Sequence, residues 1–233
     1  MGLRLTLAED AATAAAAAAV ESAVFLEAFG NTPEMLQTEY GPYRAQSQFV
    51  VVLDEREAAG VIRVIVSDGG LPLKSFVDAA SDPWRLDVLA SAAAVGLDMD
   101  ATWDVATLAV APSYRSGASS SEVAFAAYHG LYSLSLLSGA RFWVTILDSA
   151  VLSLLQSLGL PFRPLPGATA QPYLGSAASV PCYCVVDECA TAVTRARPEL
   201  MPYLATGEAF RHVDVSAICN QRVSARQDTP PLD

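Results

Sequence analysis

Residues 103–128 read WDVATLAVAPSYRSGASSSEVAFAAY, and they constrain the fold more than any other stretch. An apolar, β-branched run stops at Pro112, turns through Arg115 and Gly117, and opens a segment with helical length and apolar periodicity to about residue 137. Ser138-Gly139 closes that helix, and residues 140–147 (ARFWVTIL) form a further apolar run. Strand, helix and strand at this spacing predict a parallel βαβ unit, and hence an α/β domain. The turn itself suits an anion. Free backbone N–H groups at the helix start, with the macrodipole behind them and Arg115 beside them, can hold a pyrophosphate. A plain βα turn with a surface arginine is the alternative.

Elsewhere the pattern adds an antiparallel hairpin, from residues 48–54 (QFVVVLD) and 60–66 (GVIRVIV) around a polar turn at 55–59. A Thr6-x-x-Glu9 capping box leads into alanines, so a helix is expected over residues 9–29. A second is expected over 83–94 after a Ser81 cap, and a third from Asp148 to about residue 158. Residues 161–175 are a proline- and glycine-rich loop long enough to suggest a function. Residues 180–188 read as a late strand, followed by a helix that Pro198 interrupts. The expected organisation is one domain over residues 1–206 and a C-terminal extension over 207–233, partly disordered.

The chain has 233 residues, 52% of them apolar, which is enough for one well-buried core. Its formal charge of -11 argues against a broad nucleic-acid or anionic-membrane face, since both need basic surface. The alanine run at 11–20 is too short for a bilayer and is flanked by Glu9, Asp10 and Glu21, so no membrane span is expected. Four cysteines lack CxxC spacing, and a metal site is not expected. Cys182 and Cys184 alternate with Tyr183 and point to one face of a strand, as buried free thiols or as a reactive pair. Without an export signal the expected setting is cytoplasmic.

The segment Val110-x-Pro112-x-x-Arg115 and the small residues after it resemble the coenzyme A-binding turn of the GNAT acyltransferase superfamily. That pattern's first glycine falls on Ala118 and its last small position on Ser120, while Gly117 stands one place early. Residues 21–78 resemble the front half of acyl-homoserine-lactone synthases and long-chain N-acyl amino acid synthases. Val24-Phe25, Glu39, Gly60-x-x-Arg63 and Leu71-x-Leu-Lys-x-Phe76 carry that likeness. In that branch an arginine precedes the Val-Phe pair, and Glu21 stands there here.

The resemblance implies a single GNAT-like domain, with a central mixed twisted sheet flanked by helices and two splayed strands forming a thioester cleft. It implies acyl transfer from a coenzyme A or phosphopantetheine thioester to a small-molecule amine, with acyl-coenzyme A or an acyl carrier protein as donor. Backbone groups of Leu108 and Val110 and the turn residues Arg115, Ser116, Gly117, Ala118, Ser119 and Ser120 would hold the donor. Asp104 and Glu39 would accept the proton or position the amine. Glu39 paired with Arg63, and Asp104 as a strand-end charge, are the bland alternatives. Arg63, Trp103, Phe142 and Trp143 would line the substrates, although large aromatics on strands more often fill cores. The position of the usual acidic tyrosine holds Leu155, so the thiolate leaves unaided, Tyr173 serves instead, or turnover is absent.

Overall fold

The computed structural model describes residues 2–67, 71–116 and 120–220. Nine strands form one sheet in the order β6-β8-β5-β4-β3-β2-β1-β9, with β7 joined to β8. In chain order they are β1 (Leu3–Leu7), β2 (Ser47–Asp54), β3 (Glu57–Val66), β4 (Thr102–Val110), β5 (Phe142–Asp148), β6 (Arg163–Pro164), β7 (Gln171–Tyr173), β8 (Ser176–Val185) and β9 (Val213–Asp214). The helices are α1 (Ala11–Phe29), α2 (Pro33–Tyr40), α3 (Lys74–Ala80), α4 (Val88–Ala94), α5 (Ser120–Ser138), α6 (Ser149–Ser157) and α7 (Val186–Ala196). The sheet is mixed: β4–β5 and β1–β9 are parallel, and the remaining pairs are antiparallel.

Strand alternation sorts the core into two layers. Val50, Val52, Ile62, Val64, Trp103, Val105 and Trp143 point to the α5 side, where Leu131 and Leu134 meet them. Phe49, Val51, Leu53, Val61 and Ala109 point to the other side and pack on Ala17 and Val24 of α1. Farther along that second face, Phe142 and Val144 meet Leu73 and Phe76 of the α3 region. The β4–α5–β5 unit therefore matches the parallel unit read from sequence, with Asp148 capping α6 through Ala150 N at 2.8 Å. Cys182 and Cys184 share the α5 layer, as their alternation implied, and the Cys184 and Cys189 sulfurs lie 3.5 Å apart.

Four local expectations need correction. Thr6 belongs to β1, whose Leu3, Leu5 and Leu7 alternate inward, so no capping box forms there. The carboxylate of Asp10 caps α1 instead, accepting from Thr13 N at 2.8 Å. The helix expected over 83–94 starts only at Val88, capped by Asp87, and Ser81 instead closes a separate helix, α3, ahead of it. Ala58 and Ala59 are buried strand residues, so the hairpin turn is confined to Glu55 and Arg56. Residues 186–188 start α7, because Val186 can reach the core from a helix as well as from a strand.

The segment after Thr206 returns to the sheet: β9 pairs with β1, and Ile218 is fully buried. Residues 221–233, the end of the extension expected over 207–233, lie outside the described residues. α1 is the one helix among the described residues long and apolar enough to span a bilayer. It instead lays Ala17, Glu21 and Val24 on the sheet.

Candidate active site

β4 and β5 pair over only three positions, Thr102 with Phe142, Trp103 with Trp143 and Asp104 with Val144. Beyond them β4 stays with β3 and β5 stays with β8, so the two strands part. A bulge lies at the same level, where the register shifts between Arg63↔Thr107 and Val64↔Val105 and leaves Ala106 unmatched. Bulges increase local twist, which turns the end of β4 away from its parallel neighbour. The residues facing the gap lose cover accordingly. Leu108 and Val110 on β4, and Ile146, Leu147 and Asp148 on β5, are only partly buried.

The amides along this edge have a definite direction. Ala111 N–H donates to Ala59 O at 2.9 Å, on the β3 side. Antiparallel alternation then sends the amides of Ala109 and Thr107 to β3 and those of Leu108 and Val110 into the gap. Arg115 stands at the gap's end, its Nε donating to Val110 O at 3.0 Å and its Nη1 to Glu27 at 2.9 Å. Ser116 follows it, exposed, and Ser120 begins α5. Gly117, Ala118 and Ser119 lie outside the described residues.

Below the gap, on the α1 face, buried charges gather. Glu21 of α1 takes Arg63 in a bidentate pair, Nε to Oε1 at 2.9 Å and Nη2 to Oε2 at 2.5 Å. Thr107 donates its hydroxyl to the same carboxylate, tying α1 to β4 beside the bulge. The Arg63 guanidinium is sandwiched by the rings of Tyr40 at 4.7 Å and Phe49 at 4.5 Å. On the other side of Tyr40, 5.2 Å from its ring, lies the ammonium of Lys74. It donates to Asp78 at 2.5 Å, Glu39 at 2.9 Å and the Tyr173 hydroxyl at 3.0 Å. A groove of about 940 Å³ between α1 and α2 reaches Glu21 and Arg63 from outside, walled by Ala11, Ala14, Ala15 and Ala18.

Asp104 is wholly buried at the last paired position of β4. Its two oxygens accept from Ser75 N at 2.6 Å and Ser75 Oγ at 2.8 Å, so it also caps α3. Burial raises its pKa to about 6, against the lowering effect of those bonds and of Lys74. A carboxyl tuned in this way, next to a strand gap, has the range of a general base. Burial pulls the Lys74 pKa down, but Asp78 and Glu39 outweigh it and hold the ammonium above its usual value. Burial, followed by Asp78, pushes the Tyr173 phenol far up. It donates to Asp78 at 2.5 Å. A phenol so reluctant to ionise is a poor acid for a departing thiolate.

No protein-family model and no curated protein sequence matches the chain. Solved structures do. BjaI, a CoA-dependent acyl-homoserine lactone synthase solved with MTA, aligns over 100% of this chain and 95% of its own at 15% identity, with a TM-score of 0.59. The same protein with SAM and isopentyl-CoA gives the same figures. FeeM, an N-acyl amino acid synthase from uncultured soil microbes, aligns over 84% of this chain and 97% of its own at 14% identity, with a TM-score of 0.58. The chain has a GNAT-like fold. The two splayed strands that the resemblance implies correspond here to β4 and β5.

The GNAT-like frame brings together Asp104, Glu39 and Arg63 on one face, with Tyr40 among them. Glu39 and Arg63 do not pair with each other, since Lys74 takes Glu39 and Glu21 takes Arg63. The expected substrate aromatics are core instead. Trp143 is fully buried on the α5 side with its indole N–H on Ser135 Oγ at 2.8 Å, Trp103 lies in the same layer, and Phe142 packs with Leu73 and Phe76. Strand alternation buries all three because both faces of the sheet are covered. Leu155 is likewise packed in the core. Glu21 and Lys74 entered the sequence reading only as positions in the resemblance, without a role, and Tyr40 and Asp78 were not singled out. The i,i+4 spacing of Lys74 and Asp78 was a usable signal, whereas the Glu21 partnership crosses 42 residues and had none.

Proposed function

We propose that the protein is an N-acyltransferase, moving an acyl group from an acyl thioester to an amino group of a small molecule. One observation carries the reading: the Leu108 and Val110 amides face the gap where β4 leaves β5, directly beside a buried acidic cluster. The thioester would lie along that edge with its carbonyl oxygen accepting from one of these amides as the tetrahedral oxyanion forms. Asp104, or Glu39 through a water, would take the proton from the attacking nitrogen. The new C–N bond forms, the C–S bond breaks, and the electron pair leaves on sulfur. With Leu155 where the resemblance implies a tyrosine, the thiolate leaves unaided, which its modest basicity permits.

Arg115 and the residues to Ser120 would hold the phosphate end of the donor, within one domain that works in the cytoplasm, where its buried thiols remain reduced. Coenzyme A is the preferred carrier. An acyl carrier protein is acidic and would meet a chain of formal charge -11. A thermal-shift series with coenzyme A, acetyl- and decanoyl-coenzyme A tests the donor site. Stabilisation is expected to grow with chain length, by about 2–3 kcal/mol at a hundredfold excess over Kd. No shift with any of the three would remove coenzyme A as the donor. The buried Leu155 favours a second reading, a thioester-binding module without turnover, which release of free thiol on adding amines would exclude.

Arg115→Ala is expected to weaken coenzyme A binding about tenfold. Stability should change by no more than ~0.5 kcal/mol, because its pair with Glu27 is exposed. Isothermal titration and urea melts check both halves, and an unchanged Kd takes Arg115 out of the donor site.

A further inference from the structure

We propose that the acceptor is a cationic amine with no carboxylate beside its nitrogen, an alkylamine or diamine rather than an α-amino acid. This rests on the acyl-transfer reading. Around the base of the β4–β5 gap the charged side chains are Glu21, Glu39, Asp78 and Asp104 against Arg63 and Lys74, so acid outnumbers base. Both cations are already committed. Glu21 neutralises Arg63 bidentately, Ser47 Oγ accepts from its Nη1 at 3.2 Å, and aromatic rings cover both faces. Lys74 spends three N–H bonds on Asp78, Glu39 and Tyr173, which is all an ammonium has. An incoming carboxylate would find an excess of like charge, no free donor on Lys74, and an Arg63 already neutralised by Glu21.

An ammonium finds the reverse. The Glu39 side chain is about one-third exposed (32%), with only Oε2 on Lys74, so it is the carboxylate most open to a ligand. Two other arginines lie nearby. Arg115 is engaged by Val110 O and Glu27, and Arg44 is exposed at the outer groove between α1 and α2.

The test is a competition between matched acceptors that differ by one carboxylate: tyramine against tyrosine, putrescine against ornithine, cadaverine against lysine. Decanoyl-coenzyme A is the donor, and free thiol and acylated amine are both measured. The expected result is a kcat/KM at least about tenfold higher for the amine of each pair, because the carboxylate meets unpaired like charge. Glu39→Gln should raise KM for the amines severalfold while leaving the melting temperature near that of the parent. Amino acids accepted as well as their amines, or a preference for amino acids that Arg44→Ala abolishes, would overturn the inference and leave acyl transfer standing. No acylation of any of the six, with decanoyl-coenzyme A still stabilising the protein, would overturn the transfer reading and this inference with it.

Discussion

Replacing Glu21 by alanine is expected to cost about 3–5 kcal/mol of folding stability, the range for stranding a buried charge. Arg63 is 8% exposed and held between Tyr40 and Phe49, so without Glu21 its guanidinium has no counter-charge and only the narrow inner end of the α1–α2 groove to reach water. Thr107 loses its hydrogen-bond acceptor in the same change, and α1 loses its polar anchor to β4. In a chain of this size the penalty corresponds to a fall in melting temperature of roughly 10 °C. The double variant Glu21→Met, Arg63→Met should recover most of it, since removing both members of a buried pair leaves no unmatched charge. Urea melts of the parent, the single and the double variant decide the matter. A single variant as stable as the parent would mean that water reaches Arg63 and that the pair is not buried in solution.

That pair also shows where the sequence stops being informative. The β2–β3 hairpin and the β4–α5–β5 unit were readable because each element announces itself locally, by apolar runs of the right length between Gly, Pro and charge. β1 was not, since its five residues run straight into an alanine-rich helix and Thr6 mimics a cap. α3 went unread and α4 was started too early, because Ser81 and Asp87 are both acceptable caps and only packing selects between them. In the site, Asp104 and Glu39 could be named by their places in a resemblance. Their partners could not, because Ser75 and Lys74 reach them through the fold and not through spacing. The aromatic set failed for a related reason: a periodic pattern says that a side chain points out of the sheet, and only the second layer says whether protein already covers it.

Asp104→Asn is expected to lower kcat about a hundredfold with little change in KM, the size of effect for losing a general base. The substitution should fold. The asparagine oxygen can accept from Ser75 N–H, and its amide nitrogen can donate to Ser75 Oγ once that hydroxyl rotates. In the parent, kcat should fall as pH drops below about 6, because a base that is protonated no longer accepts. That acid limb should be missing from what activity the variant keeps. Stability should move the other way. The folded state raises the Asp104 pKa, so it binds this proton more tightly than the unfolded chain does, and the parent gains stability from this residue as pH falls from 7 towards 4. Asparagine, which has no proton to bind, should lose that gain and keep an otherwise similar melt. Equal turnover by parent and variant, with the limb still in place, would move the base to Glu39, the remaining carboxylate that combines a buried cation on one oxygen with solvent on the other.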